Sequence, residues 1–143
     1  MMGSILIVDD DQATRDSLNE AMSINGYETL TIADGYIAVT IVKRDLIDIV
    51  ILDVNMPGQG GLQTLRGIKV VRPQLPVIMT SGTPTESVIT AAIEEGASSF
   101  MRKPIDINYL RRTVREILEI GRGEKLEDRA QRPKKSRLLG SVF

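Results

Sequence analysis

Short apolar runs alternate with stretches of helical periodicity along the first 120 residues of the chain. Runs rich in Ile, Val and Leu that are bounded by turn residues are typical of buried strands. They predict five strands, at 4–8, 27–32, 48–53, 76–80 and 99–102. The third, Asp48-Ile-Val-Ile-Leu-Asp53, is apolar on both faces, as expected of a central parallel strand.

Between these strands, apolar residues recur at intervals of three and four, which predicts five amphipathic helices. The positions expected to face the core are Leu18, Ala21 and Met22, then Ala38, Ile41 and Val42, then Leu62, Leu65 and Ile68, then Val88, Ile89, Ala92 and Ile93, and finally Ile107, Leu110, Val114, Ile117 and Leu118. Asp11 and Asp106 are placed to cap the first and fifth helices, and Gly26 and Gly96 to end the first and fourth. Five successive strand–helix units predict an α/β fold with a parallel sheet covered by helices on both sides.

The composition narrows the possible chemistry. Hydrophobic residues make up 42% of the 143-residue chain, which is enough for a core without disulfides. Cysteine and histidine are both absent, so neither thiol nor imidazole chemistry is available. No apolar run approaches the roughly 20 residues of a membrane-spanning helix, and the N-terminus lacks signal-peptide features. These features predict a cytoplasmic protein with no membrane contact.

Charge is unevenly distributed between the body of the chain and its C-terminal end. Residues 121–143 carry seven Lys/Arg against three Asp/Glu, a net charge of +4, whereas residues 1–120 carry a net charge of −5. This shift predicts one domain over 1–120, followed by a basic, partly disordered tail or linker over 121–143. A docking arm or a nucleic-acid contact are alternatives for the tail.

Polar residues follow four of the predicted strands. In doubly wound sheets, ligands bind outside the carboxyl ends of the strands. The residues at those ends are Asp9, Asp10 and Asp11 after the first strand, Asp53 after the third, Ser81 after the fourth and Lys103 after the fifth. Each alone has an ordinary explanation as a helix cap, a turn hydroxyl or a surface lysine, and Asp11 is assigned the capping role. Their joint occurrence predicts a functional site.

The residue types at these ends favour phosphoryl transfer. Crowded carboxylates repel one another, and a hard divalent cation such as Mg²⁺ relieves that repulsion. An aspartate carboxylate is also able to act as a nucleophile and form an acyl phosphate. Such a reaction needs positioning and positive charge more than covalent help, and Lys103 and Ser81 offer an ammonium and a hydroxyl donor.

These motifs together resemble the receiver domain of two-component response regulators over residues 4–120. The matching segments are Ile5-Leu-Ile-Val-Asp9-Asp10, Asp53-Val-Asn-Met-Pro57, Gly61, Met79-Thr-Ser81-Gly82, Gly96-Ala97 and Phe100-Met-Arg-Lys103-Pro104. The resemblance implies a doubly wound (βα)5, flavodoxin-like fold with strand order 2-1-3-4-5. The sequence departs from the usual pattern of this family in small ways. Phe100 stands where Tyr is more familiar, and Gly60 stands where an acidic residue is frequent.

The resemblance also implies a role for each acidic residue. Asp53 is expected to be the phosphoacceptor. Asp10, Asp53 and the main-chain carbonyl of Asn55 are expected to bind Mg²⁺ (or Mn²⁺), and Asp9 is expected to act on the metal mainly through water.

The remaining site residues receive roles from the same resemblance. Lys103 is expected to pair with the phosphoryl group, and Lys103-Pro104 to contain a cis peptide bond. Ser81 and Phe100 are expected to form a switch, Ser81 by moving toward the phosphate and Phe100 by changing rotamer. Asn55 and Thr83 flank the site, where they are placed to tune the lifetime of the phosphoryl group.

A phosphorylation-dependent signalling switch is therefore the predicted function, and not a turnover enzyme. The phosphoryl donor is expected to be a histidine kinase or a histidine phosphotransfer protein, because this chain has no histidine. Phosphorylation is expected to change the surface made by the fourth helix, fifth strand and fifth helix, which is also a candidate homodimer interface. A C-terminal effector domain absent from this chain is the expected output, and nucleic-acid binding by the domain itself is not expected.

Three alternatives remain open at this stage. One is a degenerate receiver that only binds partners. A second is a metal-dependent phosphatase with an Asp nucleophile, but such enzymes place Asp-x-Asp after the first strand, and Asn55 is unable to act as a general acid. The third, a flavin-binding domain, would need a Ser/Thr/Gly-rich loop where this chain has aspartates.

Overall fold

Five strands and five helices alternate along the chain in the computed structural model, which describes residues 2–123. The strands are Ser4–Val8 (β1), Glu28–Ile32 (β2), Ile49–Asp53 (β3), Val77–Ser81 (β4) and Ser99–Arg102 (β5). The helices are Gln12–Ile24 (α1), Gly35–Arg44 (α2), Gly61–Val71 (α3), Glu86–Glu94 (α4) and Ile107–Gly123 (α5). None of these helices is both long and apolar enough to cross a membrane.

All five strands are parallel and lie in the order β2-β1-β3-β4-β5, which confirms the predicted fold class and strand order. Three strands begin one residue later than predicted, so that Tyr27, Asp48 and Pro76 lie just before β2, β3 and β4. Pro76 has no N–H to donate to a ladder; its carbonyl accepts from Val50 N at 3.0 Å. Strand β4 extends one residue further than predicted and ends in Ser81.

The core consists of two apolar layers, one on each face of the sheet. Alternate residues of a strand point to opposite faces, so β1 and β3 contribute to both layers. The layer under α2, α3 and α4 receives Leu6, Val8, Val50, Leu52, Val77, Met79 and Phe100 from the strands. The layer under α1 and α5 receives Ile5, Ile7, Ile49, Ile51, Ile78 and Met101.

The helix faces predicted from periodicity all pack against these layers. Most of the predicted residues are buried, and six are only partly buried: Ala21, Leu62, Val88, Ile93, Ile107 and Ile117. Partial burial is expected for positions at the margin of an amphipathic face.

The predicted helix ends are also confirmed. The Asp11 carboxylate accepts from Thr14 N at 3.0 Å, and that of Asp106 accepts from Tyr109 N at 3.1 Å. Gly26 and Gly96 follow α1 and α4 with φ of 90° and 101°, a conformation that favours glycine. Helix α5 continues through Gly123, and residues 124–143 of the predicted tail lie outside the described residues.

Candidate functional site

The carboxyl ends of β1, β3, β4 and β5 meet at one edge of the sheet, as expected for parallel neighbours. Ion pairs at this edge join Lys103 to Asp9 and Asp53. One carboxylate oxygen from each of Asp9, Asp10 and Asp53 lies within 4.8 Å of the others. The structure therefore brings the three predicted acidic residues and the predicted lysine into a single pocket.

Asp9 is the most firmly held of the three acids. Its Oδ2 contacts Lys103 Nζ at 2.8 Å, and its Oδ1 accepts from Asp11 N at 2.9 Å. Its main-chain carbonyl accepts from Arg15 Nη1 at 2.6 Å. Since both carboxylate oxygens of Asp9 are already engaged and its side chain is buried, the exposed Asp10 is the more accessible of the two neighbouring acids.

Lys103 supplies the positive charge of the pocket. Its Nζ lies 2.8 Å from Asp9 Oδ2 and 3.4 Å from Asp53 Oδ1. Burial of the ammonium acts to lower the pKa of Lys103, but the hydrogen bond to Asp9 and the nearby charges outweigh it and raise the pKa above its ordinary value. The peptide bond between Lys103 and Pro104 is cis, as the family resemblance implied.

Asp53 is buried at the end of β3, with only 3% of its surface exposed. Burial, with a further contribution from the Asp9 charge, raises the pKa of Asp53 to about 6; Lys103 and the Asn55 N–H oppose the shift. Its Oδ1 accepts from Asn55 N at 3.2 Å. Among the described residues, the contacts of the Asp53 carboxylate with Asn55 N and Lys103 Nζ both go to Oδ1, which leaves Oδ2 without a hydrogen bond or ion pair.

Ser81 is held in a small network beside Asp53. Its Oγ accepts from Asn55 Nδ2 at 3.3 Å and from Thr83 N at 3.2 Å, and the residue is buried. Asn55 thus contacts both the predicted phosphoacceptor and the predicted switch hydroxyl. Asn55 and Thr83, predicted to flank the site, both do so.

Phe100 is fully buried in the layer under α2, α3 and α4. On β5 it pairs with Met79 of β4, and Met79 precedes Ser81 by two residues. The aromatic ring is therefore a core residue in this conformation, and its predicted role in switching stays a prediction.

The donor set fits a hard divalent cation. Asp9, Asp10 and Asp53 each offer a carboxylate oxygen, the kind of ligand that Mg²⁺ and Mn²⁺ prefer. The set of Asp10, Asp53 and the Asn55 carbonyl stays a prediction. Asp9 has both oxygens engaged by Lys103 and Asp11, which suits the indirect role that was predicted for it.

Two features of the pocket were not foreseen from the sequence. The contact of Lys103 with Asp9 joins residues 94 positions apart, and the sequence predicted a phosphoryl partner for Lys103 but no carboxylate. The Arg15 contact to the Asp9 carbonyl was also missed. The one hint of this contact in the sequence is that Arg15 lies in the first turn of α1, the helix that begins beside the site.

A five-stranded parallel sheet of this order, with an acidic pocket, a serine and a lysine at its carboxyl edge, defines the receiver class of signalling domains. The family model for the response regulator receiver domain matches residues 5–115. The chain belongs to this family.

Comparison with individual proteins gives the same result. The response regulator MprA of Mycobacterium leprae (strain TN) is 35% identical over 127 residues, which cover 89% of this chain and 54% of the relative. A CheY-like receiver domain protein from Methanospirillum hungatei JF-1 has a TM-score of 0.80 and 25% identity, over 83% of this chain and 95% of that one. A chain of the CheX–CheY–BeF3–Mg complex from Borrelia burgdorferi has a TM-score of 0.77 and 32% identity, over 80% of this chain and 88% of that one. The chain spans about half the length of the curated relatives it matches.

Proposed function

We propose that this receiver domain is a switch in which Asp53 accepts a phosphoryl group from a phosphohistidine on another protein. The observation that supports this proposal most directly is the position of Asp53. Its side chain is buried, its Oδ1 lies 3.4 Å from Lys103 Nζ, and its other oxygen has no hydrogen bond from the described residues. An ionised carboxylate in this setting is a nucleophile with a fixed positive charge beside it.

The transfer exchanges one bond to phosphorus for another. A P–O bond to Asp53 forms as the P–N bond to the donor imidazole breaks, and the bonding electron pair leaves with the nitrogen. Lys103 stabilises negative charge on the transferring group, and Asp9 holds the ammonium in place through its 2.8 Å contact. Water later attacks the phosphorus atom, the P–O bond to Asp53 breaks, and inorganic phosphate leaves as the carboxylate is restored.

A divalent cation belongs to the same proposal. Mg²⁺ or Mn²⁺ bound by Asp10, Asp53 and the Asn55 carbonyl would supply further positive charge to the phosphoryl oxygens. The solved Borrelia complex, which contains BeF3 and Mg, supports the presence of a divalent cation but does not identify its ligands.

The signal is proposed to leave the site through Ser81 and Phe100. Ser81 Oγ accepts in its contacts with Asn55 Nδ2 and Thr83 N, so its own O–H is left to donate to a phosphoryl oxygen. Phe100 is proposed to exchange between an outward rotamer and the inward, buried one seen here, in a pre-existing equilibrium that phosphorylation shifts inward. The surface of α4, β5 and α5 carries the change to partners and is also the proposed homodimer interface.

The proposed partners are a histidine kinase or phosphotransfer protein as donor and an effector as output. The MprA relatives are about twice the length matched by this chain, which supports a receiver over 1–120 that acts on a further domain through the linker 121–143. The domain assists its own phosphorylation and dephosphorylation and does not turn over a separate substrate.

Intact-mass measurement after incubation with acetyl phosphate tests the proposal. We expect a gain of one phosphoryl mass, about 80 Da, that requires both Mg²⁺ and Asp53, so that Asp53→Asn gains none. No adduct on the folded protein would contradict the proposal and favour the degenerate, partner-binding receiver. Steady release of phosphate from a phosphomonoester would instead favour the phosphatase.

A further inference from the structure

Two polar side chains are buried together beneath the loop that connects β3 to α3. Gln59 is 7% exposed and Thr64 is completely buried. Gln59 Nε2 donates to Thr64 Oγ1 at 3.0 Å, and Thr64 Oγ1 donates to the carbonyl of Gly60 at 3.0 Å. Burying such groups is unfavourable unless they are hydrogen-bonded, so each member of this Gln59–Thr64 pair holds the other in one geometry.

The start of α2 closes over the pair. Gly35 is buried, and a Cβ at this position would lie 2.1 Å from Thr64 Oγ1 and 3.2 Å from the Gln59 carbonyl. Only a residue without a side chain permits this approach. The pair is thereby enclosed by the β3–α3 loop, the first turn of α3 and the first turn of α2.

The same loop carries Asn55 and is fixed at two other points. Gly61 N donates to the Val54 carbonyl at 2.9 Å, which closes the loop at its base. Met56 is 8% exposed and packs in the core under α2, α3 and α4. With the Gln59–Thr64 pair as the third point, little freedom is left to the backbone of Asn55.

We propose that the Gln59–Thr64 pair is a positioning device for the β3–α3 loop, which sets the affinity of the pocket for a divalent cation by fixing the Asn55 backbone. This inference rests on the proposed function, because the Asn55 carbonyl is a proposed metal ligand there. Gln59 and Thr64 touch neither the metal ligands nor the phosphoacceptor in the hydrogen bonds described here; they act through the loop. Loss of a group that hydrogen-bonds a metal ligand directly commonly weakens metal binding by about 10–100-fold, so a pair that acts through the loop is expected at the lower end of that range.

A matched pair of substitutions at position 64 separates the hydroxyl from the volume of the side chain. Thr64→Val keeps the shape and removes the hydroxyl, whereas Thr64→Ser keeps the hydroxyl. Gln59→Met is the second variant and removes the other partner without leaving a buried donor unpaired. Each is measured for its Mg²⁺ dissociation constant by calorimetry, for amide hydrogen exchange of peptides covering 54–61 without metal, and for its melting temperature.

We expect Thr64→Val and Gln59→Met to weaken Mg²⁺ binding by about tenfold and to speed exchange in the loop, with Thr64→Ser within about twofold of the native chain. Unchanged Mg²⁺ affinity and unchanged loop exchange in a folded Thr64→Val or Gln59→Met would overturn the inference. If the native chain itself binds no Mg²⁺, the proposed metal site fails. Loop exchange then decides the positioning role alone: faster exchange in both variants supports it, and native exchange overturns it.

Discussion

Among the individual residues of the pocket, Asp53 is the one whose ionisation depends most on its burial and on the charges beside it. Three carboxylates have oxygens within 4.8 Å of one another, and Lys103 contacts two of them, Asp9 and Asp53. The burial of Asp53 raises its pKa to about 6, so it remains mostly ionised at neutral pH but at a cost to the folded state. A cation bound beside Asp53 would offset that cost.

Asp53→Asn is expected to stabilise the fold at pH 7 in the absence of metal. Folded Asp53 releases its proton near pH 6, and an unfolded aspartate near 3.8. The native state therefore binds more protons between these values, and its free energy of unfolding falls as the pH rises from 4 to 6. Asparagine removes this penalty, which amounts to at most about 3 kcal/mol. Urea unfolding in EDTA at pH 7 and pH 4.5 measures the difference.

The exposed Asp16 on α1 provides the control, because Asp16→Asn is expected to change the unfolding free energy little at either pH. The gain from Asp53→Asn should shrink at pH 4.5. A gain that is equal at both pH values, or a loss at pH 7, would show that burial does not strain the Asp53 carboxylate.

Lys103→Met is expected to slow phosphorylation by acetyl phosphate by roughly a hundredfold, as loss of one group that stabilises transition-state charge commonly does. The ammonium contacts both Asp9 and Asp53, so its removal leaves negative charge uncompensated next to an anionic donor. Arg102→Met removes an exposed cation from the neighbouring position and should leave the rate within about twofold. Equal rates for the two variants, followed by intact mass over time, would argue against a role for Lys103.

Among the secondary-structure elements, β3 and α3 are joined by a close contact between the backbone at the start of α3 and the backbone at the end of β3. Helix α3 starts at Gly61, directly against the backbone of Asp53 and Val54. A Cβ at position 61 would lie 2.2 Å from the Asp53 carbonyl, whereas one at position 60 would meet nothing within 4 Å. The phosphoacceptor strand and the following helix are thereby held in a fixed relation.

Gly61→Ala is expected to lower the free energy of unfolding by about 1–3 kcal/mol, because the methyl group must displace main-chain atoms. Gly60→Ala adds the same methyl group in open space and should cost less than about 1 kcal/mol, the usual scale of a changed N-cap residue. Urea unfolding of the two variants gives the comparison. A smaller loss for Gly61→Ala than for Gly60→Ala would contradict the packing described for this junction.

Periodicity predicted the elements well, since burial imposes it on the sequence directly. Every predicted strand and helix is present, and the caps at Asp11 and Asp106 bind as expected. The order of the strands, in contrast, came from the family resemblance, because alternation alone does not fix which parallel strands are neighbours. The sequence did not foresee the Lys103–Asp9 ion pair or the Gln59–Thr64 hydrogen bond, since both depend on how side chains meet once the sheet has formed.

At the scale of the whole molecule, the parallel sheet separates the site from the end of the described chain. Helix α5 starts beyond Lys103 and spans 17 residues to Gly123, or about 25 Å at 1.5 Å per residue. Gly123, the last residue that the structure describes, therefore lies about one helix length away from the carboxyl edge of the sheet.

Phosphorylation is expected to change hydrogen exchange in one part of the molecule. Peptides covering 82–110 contain the loop after Ser81, α4 and β5 and should change in protection, because Ser81 and Phe100 are the proposed switch residues. Peptides covering 28–44 contain β2 and α2 and should change little. Exchange with and without acetyl phosphate and Mg²⁺ measures this, with Asp53→Asn as the control. Equal changes in both regions would contradict a switch localised to the α4–β5–α5 surface.

The most direct test of the central claim is the position of the phosphoryl group. Borohydride reduces an acyl phosphate to an alcohol, so peptide mapping after treatment of the phosphorylated chain should find homoserine in place of Asp53. Homoserine at Asp53 alone, absent without Mg²⁺, is the result predicted here. Reduction at Asp9 or Asp10, or a phosphate that borohydride does not reduce, would contradict the assignment of Asp53 as the phosphoacceptor.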